Sequence, residues 1–201
     1  MLCYNSTMRL VLASASPQRK ALLEGIGVPF EVCVTDVEDD SDITHQDPVE
    51  RARFFARLKA EHAHAVHPHA WIIGCDTLVV ASDGTLLEKP GDSGEARTMI
   101  LLQSGKTSLV HSGLCVLTPQ GKAHEGMSTS SVHFKKLSPS EIDWWIGTGL
   151  WQGRSGSFQI DGPGQLMIER IEGDWSGIVG FPVFLFGKLM KEAGWDLSTA
   201  A

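Results

Sequence analysis

Short apolar runs recur along the chain, each bounded by glycine, proline or charged residues. Runs of this kind predict buried β-strands, because a strand needs only roughly four to eight residues to cross a core. The predicted strands lie at 9–13, 30–34, 71–75 continued at 78–81, 106–117, 127–134 and 165–171. A turn at 119–122 separates two of these strands and makes them neighbours in a sheet.

Helix-start signals lie between the apolar runs. Ser16 and Asp47 each place a capping side chain directly before a proline, which suits the first helical position. Asp47 and Ser138 are each followed three residues later by glutamate, as in a capping box, and Asp92 starts a further helix. These signals predict helices at 19–24, 47–65, 92–103, 138–147 and 181–193, with an acidic loop at 36–42 and a glycine-rich loop at 153–164.

Strands and helices alternate in both halves of the chain, which predicts an α/β fold. We expect a two-lobed mixed sheet with flanking helices and a central cleft, within a single domain at 9–201. Residues 1–8 are predicted to be a loose N-terminal extension, with Met8 as an alternative start.

Composition and charge narrow the function classes. Hydrophobic residues make up 42% of the 201 residues, and no apolar run is long enough for a membrane-spanning helix. The N-terminus lacks a secretory signal and the four cysteines form no CxxC pair, so we expect a cytoplasmic protein. The net charge of −7 opposes binding to nucleic acid. A small anionic ligand remains compatible with this charge, provided that basic residues gather locally.

The first candidate for such a ligand is the strand–helix junction at Ser14, Ser16 and Arg19. A helix N-terminus offers unpaired N–H groups and a partial positive charge, and the two hydroxyls and the guanidinium add donors for phosphate oxygens. In the alternative interpretation, Ser16 only caps the helix and Arg19 is solvated.

Asp76 follows the apolar strand 71–75 directly, a place where open α/β sheets tend to bind ligands. A carboxylate there can hold Mg²⁺ or orient an attacking water. The alternative is a strand-end aspartate that accepts hydrogen bonds from nearby backbone N–H groups.

Two lysines and a loop complete the candidates. Lys59, on an apolar helix face, and Lys89, just before a proline, could meet a polyphosphate, although lone lysines are usually solvated. In the glycine-rich loop, Phe158 could stack on a planar base and Asp161 could accept hydrogen bonds from it. The alternative there is a surface loop anchored by a buried phenylalanine.

Taken together, these motifs resemble the Maf family in order and spacing, from about residue 9 to residue 194. The matching segments are LASASPQR at 12–19, KA at 59–60, GCDT at 74–77, KP at 89–90, SG at 104–105 and 112–113, ERIEG at 169–173 and VGFP at 179–182. Any one of these motifs is weak, whereas the ordered set is specific.

The resemblance implies a nucleoside triphosphate pyrophosphatase with a fold related to the inosine triphosphatases. It also implies a divalent cation, Mg²⁺ or Mn²⁺, a homodimer and a cytoplasmic location. Some members are called septum-formation inhibitors, so a non-catalytic nucleotide-binding regulator of cell division is the rival hypothesis.

Roles follow from the resemblance position by position. Ser14, Ser16 and Arg19 would bind the phosphates, and Lys59 and Lys89 would neutralise the triphosphate. Asp76 would be the catalytic carboxylate, acting on metal or water. Glu38 and Asp39 would be further metal contacts, and Thr77, Phe158 and Asp161 would recognise the base.

Two positions depart from the family pattern. Gln18 stands where the family commonly has an arginine, which removes one positive charge. Asp161 stands where the dTTP/UTP-preferring members usually have glutamine, whereas Asp76-Thr77 matches those members. An ionised carboxylate only accepts hydrogen bonds and so suits the adjacent N1–H and N2–H₂ donors of guanine. Asp161 therefore favours a purine or a modified base such as 7-methylguanine, against the signal from Thr77.

Overall fold

The computed structural model describes residues 9–35, 37 and 47–195. In this part of the chain, seven strands form one sheet, and helices flank it. The strands are β1 (Leu10–Ala13), β2 (Glu31–Val32), β3 (Trp71–Val80), β4 (Leu86–Leu87), β5 (Thr107–Leu117), β6 (Ala123–Phe134) and β7 (Ile168–Glu172). The helices are α1 (Pro17–Gly25), α2 (Pro48–Val66), α3 (Ser93–Gln103), α4 (Pro139–Thr148), α5 (Trp175–Val179) and α6 (Val183–Glu192).

The sheet is mixed, and its strand order is β2-β1-β3-β5-β6-β7, with β4 paired to β3. Strand β1 runs parallel to both β2 and β3, in a register that places Leu10 beside Trp71 and Ala13 beside Gly74. Strands β4 and β7 are antiparallel to β3 and β6. The predicted α/β class and mixed sheet are confirmed.

The helix starts predicted from the caps are also confirmed. Side chains accept from backbone N–H groups at four N-termini: Ser16 from Arg19, Asp47 from Val49, Asp92 from Glu95, and Ser138 from Glu141. At α4 the glutamate accepts in return from the backbone N–H of the cap, which completes a capping box. Local side chains therefore fix where these helices begin.

The described chain divides into two compact units. Unit 1 comprises the described residues within 1–76, 112–128 and 180–201, and unit 2 comprises 77–111 and 129–179. Each unit has its own apolar core: Phe181 and Phe186 are among the fully buried side chains of unit 1, and Trp145 is the largest of unit 2. The single domain predicted at 9–201 stays a prediction.

In unit 1, helix α2 packs very closely on the sheet. Its buried face consists mainly of alanines, with Phe55 among them. A Cβ at Gly74 on β3 would lie 2.0 Å from the carbonyl oxygen of Ala56, and one at Gly113 on β5 would lie 2.5 Å from that of Ala52. Only glycine fits at both strand positions, because backbone stands where a side chain would begin.

Several short elements differ from the sequence prediction. The glycine-rich segment is not an open loop, because it contains 3₁₀ turns at Ser155–Ser157 and Pro163–Met167. The last strand begins at Ile168 rather than at residue 165, because the Gln165 N–H bonds to the Gly162 carbonyl within the second turn. Helix α5 and strand β4 were not predicted, and strand β2, predicted at 30–34, comprises only Glu31–Val32. The predicted acidic loop lies mostly outside the described residues.

Among the described residues, no helix combines the length and the apolar character that crossing a membrane requires.

Candidate active site

The central feature of unit 1 is a buried carboxylate–lysine pair. Asp76 on β3 is only 6% exposed, and its Oδ1 lies 2.5 Å from the Nζ atom of Lys59 on α2. The Oδ2 atom of Asp76 is also buried and has no hydrogen-bond partner among the described residues. Buried polar atoms in native proteins nearly always have a partner, so a lone carboxylate oxygen indicates a position prepared for a water, a cation or a substrate.

The pair exists because helix α2 approaches the sheet at Gly74. This glycine lies two residues before Asp76 on β3, and Ala56 and Ala60, which contact it, flank Lys59 on α2. The Lys59 ammonium also lies 5.7 Å from the centre of the Phe55 ring. The lysine side chain is 16% exposed, so it is held in place rather than solvated. This position favours a role in the site over the solvated alternative for Lys59.

The predicted phosphate-binding residues lie together at the N-terminus of α1. The Ser14 hydroxyl oxygen accepts from the Ser16 backbone N–H (3.2 Å) and from Nη1 of Arg19 (3.1 Å). The Ser16 hydroxyl oxygen accepts from the Arg19 backbone N–H at 3.4 Å, which confirms its capping role. Arg19 is therefore not a freely solvated side chain, because it folds back over the junction between β1 and α1.

Gly180 holds this arginine in place and was not assigned a role from the sequence. Its carbonyl oxygen accepts from Nε of Arg19 at 2.9 Å and from the Cys75 thiol at 3.0 Å. Gly180 has a φ of +123°, which other residues rarely adopt. The VGFP motif could have indicated a constrained backbone here, although it could not have identified the arginine as its partner.

Gln18, the departure from the family pattern, bonds to the same junction. Its Oε1 accepts from the Ser16 hydroxyl at 3.2 Å. An arginine at this position could not accept that proton, because a guanidinium only donates. In this protein the Ser16 hydroxyl is therefore directed at a neighbouring side chain.

Lys89 and the predicted base-recognition residues belong to unit 2. Lys89 follows β4 and is exposed, and Thr77 is half-buried on β3. Phe158 is 6% exposed and packs edge-on against Phe134 with ring centres 5.2 Å apart. That placement favours the anchoring role of Phe158 over base stacking. The functional roles of Lys89 and Thr77 stay predictions.

Asp161 has a partner that the sequence did not reveal. Its Oδ1 lies 3.5 Å from Nη1 of Arg154, and the two side chains are 27% and 21% exposed. Arg154 is separated from Asp161 by six residues of the glycine-rich segment, and no periodic pattern connects them. Their pairing depends on the 3₁₀ turn at Ser155–Ser157, which the sequence did not predict.

The predicted metal contacts are only partly described. Glu38 and Asp39 lie outside the described residues. Within 9–35, 37 and 47–195, no group of three or more His, Cys, Asp or Glu side chains is placed to hold a metal ion. Mg²⁺, however, is commonly held by one or two carboxylates together with substrate phosphates and waters. The buried Asp76 carboxylate, taken as a whole, fits that mode of binding.

These features define a class: an α/β protein with a buried Asp–Lys pair and a serine- and arginine-bearing helix N-terminus in the same unit. The sequence model of one family, described as Maf-like protein, matches residues 9–193. The chain therefore belongs to the Maf family.

Curated relatives match the chain over most of its length. A dTTP/UTP pyrophosphatase from Deinococcus radiodurans is 43% identical, covering 92% of this chain and 93% of the relative. Proteins with the same name from Treponema denticola and Pyrococcus furiosus are 39% and 37% identical, covering 87% and 91% of this chain and 91% and 94% of the relatives.

Among solved structures, similarity is more distant. A nucleoside-triphosphatase / dITP/XTP pyrophosphatase from Mycobacterium abscessus aligns with a TM-score of 0.42 and 17% identity, covering 65% of this chain and 76% of that chain. A HAM1 protein from Coxiella burnetii aligns with a TM-score of 0.43 and 14% identity, covering 63% of this chain and 73% of that chain. Similarity at this level adds nothing to the assignment.

Proposed function

We propose that this protein is a nucleoside triphosphate pyrophosphatase that hydrolyses dTTP and UTP to the monophosphate and pyrophosphate. Membership of the Maf family supports the reaction, and the names of the three relatives support the two substrates. The preference for a purine or 7-methylguanine that Asp161 suggested in the sequence finds no support in these relatives. The non-catalytic regulator finds none either.

The observation that carries the proposed chemistry is the Asp76 carboxylate, which is bonded to Lys59 through one oxygen and has no partner on the other among the described residues. We assign Oδ2 to the attacking water. As the water oxygen bonds to the α-phosphorus, the bond from that phosphorus to the bridging oxygen breaks and pyrophosphate leaves. The proton released by the water passes to Asp76. Lys59 keeps the carboxylate oriented throughout.

Positive charge and backbone donors would stabilise the triphosphate. We assign this role to the N-terminus of α1 and to four side chains of unit 1 that are cationic or carry a hydroxyl: Ser14, Ser16, Arg19 and Lys59. The charge-neutralising role that the resemblance implies for Lys89, in unit 2, stays a prediction. Fixed donors of this kind favour the transition state because they need not reorganise as charge moves to the leaving group. A divalent cation, Mg²⁺ or Mn²⁺, would be held by Asp76 together with phosphate oxygens and would supply further positive charge there.

The test is pyrophosphate release from a panel of dTTP, UTP, CTP, GTP, 7-methyl-GTP and ITP, with Mg²⁺ or Mn²⁺ and with a chelator. We expect dTTP and UTP to be preferred and the chelator to abolish turnover. In Asp76→Asn, kcat should fall by about 100-fold or more while KM changes little, because a group that transfers a proton acts mainly in the transition state.

Three outcomes would contradict all or part of this proposal. A nearly normal kcat in Asp76→Asn would show that the carboxylate does not accept the proton of the attacking water. Nucleotide binding without turnover of any member of the panel would favour the regulator. Full activity in the presence of the chelator would show that hydrolysis needs no divalent cation, while the proposed reaction itself would stand.

The homodimer implied by the resemblance is also part of the proposal. Sedimentation velocity should give a mass close to twice the 21.8 kDa of one chain. A concentration-independent monomer with full activity would show that dimerisation is not needed.

A further inference from the structure

The Arg154–Asp161 pair stands in the part of unit 2 where the sequence indicated base recognition. The distance of 3.5 Å from Nη1 to Oδ1 is that of an ion pair rather than of a short hydrogen bond. Both side chains remain about a quarter exposed, at 21% and 27%. The pair is therefore sheltered enough to have a defined position and open enough to contact a ligand.

Buried hydrogen bonds fix the backbone between the two residues. Gln103 of α3 is fully buried, and its Nε2 donates to the Gly156 carbonyl at 2.7 Å, while its Oε1 accepts from the Ser108 hydroxyl at 3.2 Å. The indole N–H of Trp145 donates to the Ser157 carbonyl at 2.8 Å. These bonds hold the 3₁₀ turn that lies between the two charged residues, so the backbone of this segment is ordered before a ligand arrives.

Further along the segment, glycine permits a second tight contact. A Cβ at Gly164 would lie 2.2 Å from the Gln159 carbonyl oxygen. The chain therefore folds closely over itself on both sides of Asp161. A loop of this kind presents its polar side chains at a constant position, which selective recognition requires.

We propose that Arg154 determines base specificity together with Asp161, an inference that rests on the proposed function. A carboxylate alone offers two acceptors, which suits the two adjacent donors of guanine. Because Oδ1 of Asp161 faces Arg154, the pair offers a base one acceptor, the other carboxylate oxygen, and one donor, an N–H of the guanidinium. Uracil and thymine present N3–H between two carbonyls, so the carboxylate accepts from N3–H and the guanidinium donates to a neighbouring carbonyl.

This assignment reconciles the residue at position 161 with the names of the relatives. Asp161 taken alone favours guanine, whereas the relatives are named for dTTP and UTP. A side-chain amide also carries one acceptor and one donor. The Arg154–Asp161 pair is thus chemically equivalent to a single amide at the position of Asp161.

The experiment compares kcat/KM for UTP and for GTP in three variants. Arg154→Met should lower the UTP/GTP ratio by about fivefold or more, the lower end of what one good base contact contributes. Adding Asp161→Gln to Arg154→Met should restore the ratio, because the amide supplies both groups by itself. Arg97→Met, which removes the ion pair with Asp143 elsewhere in unit 2, is the matched control and should leave the ratio unchanged.

The inference would be overturned by an unchanged UTP/GTP ratio in Arg154→Met, or by a double variant in which the ratio is not restored. The proposed pyrophosphatase activity would stand in both cases. A loss of stability alone would lower both kcat/KM values together, and the rescue by glutamine would not occur. If the wild-type protein released no pyrophosphate from any nucleotide, the proposed function would fail instead. The same ratio measured as Kd values for UTP and GTP would then still test Arg154.

Discussion

The Ser16 hydroxyl is shared between two neighbours on α1, since it accepts from the Arg19 backbone N–H and donates to Oε1 of Gln18. A hydroxyl has a single proton, so one given to Gln18 is not available to a phosphate oxygen. Gln18 also leaves the helix N-terminus with one positive charge fewer than the family pattern has. We therefore expect the residue at position 18 to influence how strongly this junction attracts an anion.

Gln18→Arg should lower KM for dTTP by about fivefold, which corresponds to roughly 1 kcal/mol, with little change in kcat. The arginine adds a charge and cannot accept the Ser16 proton, so the hydroxyl becomes free to donate to phosphate. Steady-state kinetics at constant ionic strength measure the change. Gln152→Arg adds the same charge at an exposed position in unit 2 and should have no such effect. Equal KM values in the two variants would refute the prediction.

Helix α2 is the element on which the site depends most, because it carries Lys59 to Asp76. Its alanine-rich face and the glycines on β3 and β5 allow backbone to approach backbone. The packing of one helix thus determines both the stability of unit 1 and the geometry of the carboxylate–lysine pair.

Gly74→Ala should destabilise the protein by about 3 kcal/mol or more, because the new Cβ would meet backbone that cannot move aside. Urea unfolding measures the loss, and kcat should fall with it as Lys59 is displaced from Asp76. Gly187→Ala lies inside α6 with nothing within 4 Å of the added atom, so it should raise stability by up to about 1 kcal/mol. A Gly74→Ala protein as stable as wild type would show that α2 can shift at no cost.

The N-terminus of α4 should make stability depend on pH. The hydrogen bond from Lys135 to Glu141, followed by the bonds from Ser138, lowers the pKa of Glu141 to about 2. A carboxyl whose pKa is depressed in the folded state stabilises the protein above its ordinary pKa of 4.5, and this contribution is lost as the pH falls towards 2.

Glu141→Gln removes this titration and keeps the shape of the side chain. The difference in unfolding free energy between wild type and variant should be largest at pH 6 to 7 and should shrink between about pH 4.5 and 2. Urea titrations at several pH values measure it. A difference that stays constant over this range would show that the Lys135 and Ser138 bonds do not favour the ionised form.

At the scale of the whole molecule, the net charge of the chain limits which kinds of ligand it can bind. The chain carries 17 basic and 24 acidic side chains, and its net charge is −7. A protein surface that binds nucleic acid requires clustered positive charge, because much of the affinity arises when lysines and arginines neutralise phosphates. The cationic residues of the candidate site are few and suit one triphosphate rather than a polymer.

We therefore expect no binding to duplex DNA in fluorescence anisotropy at 100 mM salt with the protein at about 10 µM, where nonspecific binders associate measurably. A fluorescent dUTP analogue should bind under the same conditions. DNA binding that weakened steeply with added salt would contradict this prediction and reopen a regulatory role on nucleic acid.

The sequence by itself determined the elements whose signals are local. Helix starts at Ser16, Asp47, Asp92 and Ser138 were predictable because a cap involves residues only two or three positions apart. Apolar runs located β1, β3, β5 and β6 for a similar reason. The ordered motifs identified the family, which the match over residues 9–193 confirms.

The tertiary structure alone decided which side chains meet. Lys59 and Asp76 are 17 positions apart and Arg19 and Gly180 are 161 apart, and no periodicity connects such pairs. The first pair depends on a helix approaching a glycine on the sheet, and the second depends on a backbone carbonyl with an unusual φ. The Arg154–Asp161 contact depends on a 3₁₀ turn that buried side chains of unit 2 stabilise. Such contacts follow from packing between distant segments, which local sequence patterns do not encode.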